Sequence, residues 1–220
     1  METTITVQGA FSVHHPAERG IVRLGIGFEG AKREPVVEHT TERHQAVSEQ
    51  LRALTDPSVG PVTWWASDQV RVWASRPWNQ DGKQLPPVYH GAVDVEAKFS
   101  DFVRLSEWVG QVSLSEGVTV NGIEWTLTEA RRQSLTQEAR RRAVENAVAK
   151  ATVYATSVGL SAVRAVALSD PGMLGDGSTS AVPSTEFMSA RMMAANAPQI
   201  EFKPNDIAID VQVHARFVAS

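Results

Sequence analysis

The sequence predicts an α+β fold: a largely antiparallel sheet with helices packed on it. Three observations carry that expectation. Alternation of apolar and polar residues with period 2 recurs along the 220-residue chain. Between the alternating stretches lie segments whose apolar residues are three and four apart. Several alternating stretches are joined by short, turn-rich connections, which antiparallel strands can use and parallel strands cannot. The expected order is β-β-α-β-β-α-β-α-β-β in a single domain over residues 4–220.

The elements follow from the N-terminus. In residues 4–14, Ile5, Val7, Phe11 and Val13 alternate with Thr4, Thr6, Gln8, Ser12 and His14, the pattern of a half-buried strand. Residues 15–20 read as a turn, and Val22, Leu24, Ile26 and Phe28 mark the next strand. Their short connection predicts that these two strands pair as a hairpin. Pro35 suits a helix start, Val37, Thr40, His44, Val47, Leu51 and Leu54 line one helix face, and Asp56-Pro57 stops it. Residues 61–77 return to strand character with Trp64, Trp65, Val70, Val72 and Trp73. The polar run at 79–83 breaks them. Tyr89, Val93, Val95, Ala97 and Phe99 then give the partner strand of a second hairpin.

Ser100-Asp101 offers an N-cap, because a short side-chain oxygen can accept an orphan N–H at a helix start. Phe102, Leu105, Val109 and Val112 mark that helix, and Gly117 lies just past it. Residues 118–128 alternate again through Ile123, Trp125 and Leu127. The strongest helical signal covers 131–158, where Leu135, Ala139, Ala143, Ala147 and Ala151 recur every four residues. Such a small-residue face lets a helix lie close against a sheet or another helix. Residues 160–168 read as a strand. A Gly/Ser/Met-rich loop is expected at 170–198, with a short helix near 185–196. The last strand, through Ile207, Ile209, Val211, Val213, Ala215 and Phe217, is clear.

Composition excludes several chemistries. There is no cysteine, so disulfides, thiolate metal sites and Cys nucleophiles are ruled out. A formal net charge of −4 disfavours nucleic acid as a partner. No stretch has the length of a membrane-spanning helix. The first residues show neither a basic n-region nor an apolar h-region, so a cytoplasmic location is expected.

The candidate motifs weigh toward ordinary structure. Gly25, Gly27 and Gly30 spell G-x-G-x-x-G, but dinucleotide binding needs those glycines in a strand-to-helix turn, and these lie inside an alternating strand. Glycine on a strand face instead marks close approach of another group. The histidines His14, His15, His39, His44, His90 and His214 lack metal-ligand spacing. Asp94, Glu96 and Asp210 sit on polar strand faces with nothing local to join them, and no G-x-S-x-G elbow is present. Arg131, Arg132 and Arg140 to Arg142 make a basic patch interleaved with Glu138 and Glu145. No catalytic residue, metal or cofactor is therefore expected. Met188, Met192 and Met193 offer soft sulfur ligands for Cu(I), but such a cluster weighs toward adaptable packing against a neighbouring subunit. On a two-faced strand Trp64 and Trp65 cannot both enter one core. One of them, together with Trp73, is expected to cover a second layer, a ligand groove or a subunit interface.

Four segments together resemble the SIMPL domain family, a domain of unknown function found in periplasmic immunogenic and stress-defence proteins. They are Ile5-Thr6-Val7-Gln8-Gly9 with Pro16-Ala17; Tyr89-His90-Gly91-Ala92-Val93-Asp94-Val95; Val120-Asn121-Gly122-Ile123-Glu124-Trp125-Thr126-Leu127; and Glu138-Ala139-Arg140-Arg141-Arg142-Ala143-Val144 through Lys150-Ala151 to Gly159-Leu160. The resemblance implies an α+β fold and a tendency to homo-oligomerise, and it brings no accepted catalytic residues. The chain departs from many relatives in showing no signal peptide. The expected function is a non-enzymatic, homo-oligomeric binding or scaffolding protein, with a stress-related role implied by the resemblance. Two alternatives stand beside it. One is a small-ligand carrier or enzyme with a pocket between sheet and helices, using groups such as His90, Asp94 or Arg71. The other is a protein-partner recognition module acting through the Arg-rich helix or the 170–198 loop.

Overall fold

A computed structural model describes residues 2–56, 58–78, 85–174 and 204–220. In chain order the elements are β1 (Thr3–His15), β2 (Arg19–Gly30), α1 (Arg33–Leu54), β3 (Val62–Ser67), β4 (Arg71–Ser75), β5 (Val88–Phe99), α2 (Phe102–Val112), β6 (Val118–Thr126), α3 (Glu129–Ser157), β7 (Val163–Ser169) and β8 (Ile207–Ala219). The α+β arrangement is the expected one, and every named strand pair is antiparallel. Residues 61–77 form two short strands on one partner. Ser67 lies opposite Val95 and Arg71 opposite Ala92, so four steps on one side meet three on the other. The extra residue breaks the ladder between β3 and β4. The short helix expected near 185–196 and most of the 170–198 loop, with Met188, Met192 and Met193, lie outside the described residues.

The described chain divides into two units. One holds β1, α3, β7 and β8, with strand order β1-β8-β7. The expected hairpin of β1 with β2 does not form. β1 instead runs the full length of β8, from Thr3 opposite Ala219 to His15 opposite Ile207. The two strands have equal length and matching alternation, so this register sets Ile5 beside Phe217 and Val7 beside Ala215 on one face. α3 lies on that face, and Ala139, Ala143, Ala147, Ala151 and Ala155 are all buried. The expectation that this face permits close approach holds. α3 also blunts the free edge of β1. Lys150 Nζ donates to the Gln8 carbonyl at 2.8 Å, and Asn146 Oδ1 accepts from the Ala10 N–H at 3.1 Å.

The other unit has strand order β3-β5-β2-β6, with β4 also on β5. α1 and α2 cover one face, over Val22, Leu24, Ile26, Val93, Val95, Ala97 and Phe99. Asp101 caps α2 as expected, accepting from the Val103 and Arg104 N–H groups at 2.9 and 3.1 Å. Asp101→Ala leaves these donors to water and should cost about 1 kcal/mol in a urea-unfolding titration. The opposite face of the sheet looks outward, and it carries the candidate site.

Candidate functional site

The outward face is set by the pleat. Residues facing away from the helices are Arg23, Gly25, Gly27 and Glu29 on β2, and His90, Ala92, Asp94, Glu96 and Lys98 on β5. Trp64 and Ala66 join them from β3, and Arg71, Trp73 and Ser75 from β4. The tryptophan pair divides as the alternation requires. Trp65 packs against the core, while Trp64 is 46% exposed on the outward face. Lys98 Nζ stands 5.7 Å from the Trp64 ring, and the Arg52 guanidinium 5.6 Å from that of Trp65. Trp73 is 50% exposed and stacks on His90, with ring centroids 5.3 Å apart and planes inclined by 16°.

An open groove of about 360 Å³ runs over this face beside Trp64, bounded by Arg23, Ser67, Asp68, Glu96 and Asn121. Gly25 lies beside two of the residues that line it, Asn121 and Asp94. A Cβ there would stand 3.4 Å from Asn121 Nδ2 and 3.6 Å from Asp94 Oδ1. The glycines of the G-x-G-x-x-G string thus lie within a strand, as the alternation indicates. Between this sheet and its helices, where a pocket was one expectation, the core side chains named above fill the centre, and a cleft remains beside β2 and α1, lined by Phe28, His39, Glu42, Arg43 and Glu116.

Most charges around the groove pair across strands. Arg23 sits between Glu96 at 3.1 Å and Glu124 at 2.6 Å, and those two carboxylates raise its pKa above the ordinary arginine value. Arg71 meets Asp94 at 2.6 Å. The structure therefore pairs Asp94 with Arg71 and Glu96 with Arg23, places His90 farther along the same strand face, and leaves Asp210 on β8 in the other sheet. Each pair is exposed, so Coulomb attraction in water is screened and the pairs set shape more than stability.

Sequence reasoning missed one constellation. Ser75 Oγ lies 2.8 Å from His90 Nε2, and Glu29 Oε2 lies 3.5 Å from His90 Nδ1. Three neighbouring strands supply these groups, and only the register joins them. The groove does not reach them. At the β3 end, His44 Nε2 lies 3.0 Å from Ser67 Oγ; burial, then the charge of Arg52, lowers its pKa. Among the described residues no group of three His, Asp or Glu side chains is arranged to hold a metal ion. Away from this sheet, Arg141 and Arg142 on α3 are engaged by Glu138 and Glu145, so that part of the basic patch is compensated along the helix itself. No helix among the described residues is long and apolar enough to cross a membrane.

The family model described as SIMPL, protein of unknown function (DUF541), covers residues 5–217. No curated protein matches the chain.

Proposed function

The chain belongs to the SIMPL family, and from that premise we propose that it is a non-enzymatic protein working as a homo-oligomeric binding or scaffolding assembly with a stress-related role. One observation carries the assembly reading: two half-exposed tryptophans, Trp64 and Trp73, frame an outward sheet face whose middle is made small by Gly25, Gly27, Ala66 and Ala92. Indole rings left in water beside small residues favour a partner that covers them. The occupant is a second copy, meeting this face with its own. The charges on the face are mostly paired within it, so covering them leaves few unpaired ions.

Light scattering across a concentration series should give a multiple of the chain mass. The double variant Trp64→Ser, Trp73→Ser should shift the midpoint of assembly to at least about tenfold higher concentration, since each buried indole contributes more than 1.4 kcal/mol at an interface. A strict monomer at high concentration, or an unmoved midpoint, sinks this reading. The groove beside Trp64 favours a second reading, a small-ligand carrier with its site on the outer face of the sheet. Trp64→Ala would then abolish ligand-induced changes in tryptophan emission without altering the mass.

A further inference from the structure

We propose that a second cleft in the five-stranded unit, formed by Phe28, His39, Glu42, Arg43 and Glu116, binds a small zwitterion: an ammonium carboxylate of the free amino-acid type. Its volume is about 270 Å³, just below the ~300–1,000 Å³ of pockets for drug-sized ligands, so it suits a molecule of few heavy atoms. The argument begins with Arg43. Among the described residues its Nε is the one buried side-chain nitrogen or oxygen with no hydrogen-bond partner. Such groups are rare in folded proteins, and each points to something that completes it. Arg43 lines the cleft, and a guanidinium is completed best by a carboxylate, which accepts two parallel N–H bonds.

A bare anion does not suit the rest of the cleft. Glu42 and Glu116 line it too, and neither forms an ion pair or side-chain hydrogen bond among the described residues. An anion on Arg43 alone would face both carboxylates, whereas a ligand with an ammonium group beside its carboxylate answers all three charges at once. The walls are built for a fixed geometry. Gly117 has φ +76°, and a Cβ there would come within 2.4 Å of the Phe28 ring, so the turn bearing Glu116 rests directly on that ring. His39 meets the same ring edge-on, with centroids 5.7 Å apart. None of these side chains belongs to the outward face proposed for self-association, so the two readings stand or fall separately.

Titration of glycine and L-alanine into the full chain, followed by NMR at the Gly117 amide and the His39 ring, tests the proposal. Both should give saturable shifts, and acetate or methylammonium alone should bind at least about tenfold more weakly. Arg43→Met and Glu116→Gln should each weaken glycine about tenfold or more, and Glu116→Gln should not weaken acetate. Glu116 is an exposed turn residue, so its variant keeps the test open even if the Arg43 variant fails to fold. No saturable shift with either amino acid, equal affinity for acetate, or full glycine binding by Glu116→Gln overturns the proposal.

Discussion

Phe99→Ala should destabilise the five-stranded unit by about 3–5 kcal/mol, the range for emptying a fully buried aromatic site. Phe99 is wholly buried at the end of β5. Its cross-strand neighbours are Gly20 on one side and Val62 on the other, and its ring leans on Trp108 with centroids 5.4 Å apart. Gly20 has no side chain to move into the void, and Trp108 is tethered, its Nε1 donating to Gln50 Oε1 at 3.1 Å. The site therefore collapses poorly, which places the cost high in the range. Phe99→Leu keeps much of the volume and should cost roughly half as much. Urea unfolding read by tryptophan emission suits this test, because all six tryptophans lie between residues 64 and 125. The variant should also shift native emission to the red as Trp108 meets water. A midpoint change equivalent to less than ~1 kcal/mol would show that Phe99 is not a keystone of this core.

The same residues show why the fold was largely legible. Phe99 closes an alternation through Val93, Val95 and Ala97, and a period of 2 leaves no freedom over which side chains face the helices. Trp64 and Trp65 were separable for that reason alone. Strand pairing was less legible. A short connection after His15 argued for a hairpin, yet β1 mates with a strand about two hundred residues away. Loop length reports which pairing is easy to close, and here matched length and apolar phase outweigh it. On the outward face the residues were readable and their neighbours were not. Ser75, His90 and Glu29 meet through β4–β5 and β5–β2 registers that no local pattern encodes. Arg43 carried no signal at all, being one charged residue among many on α1; its unpartnered Nε and its place in a cleft beside Glu116 are visible only in the folded chain.

Gly9→Val should be at least as damaging to the three-stranded unit, by the opposite mechanism. A Cβ at Gly9 would lie 2.0 Å from the Ala143 carbonyl oxygen and 2.8 Å from Ala147 Cβ. The nearer obstacle is helix backbone, which no rotamer change can clear, so β1 and α3 must separate. Overpacking in a core costs about 1–3 kcal/mol when side chains can yield, and the upper end or beyond is expected when they cannot. Separation also strips the Lys150 and Asn146 contacts from the edge of β1 and re-exposes it. Ala147→Gly should recover only a minor part of the loss, because it removes the methyl and leaves the carbonyl. Thr6→Ala, on the exposed face of the same strand, should stay within about 0.5 kcal/mol of the parent. Hydrogen exchange across β1 and β8 provides the readout, with protection falling together in both strands of the Gly9 variant. Unchanged protection in Gly9→Val, or full rescue by Ala147→Gly, would mean that the alanine face of α3 is not fitted to the bare backbone of β1, and that the match between a strand glycine and a four-residue alanine step has another cause.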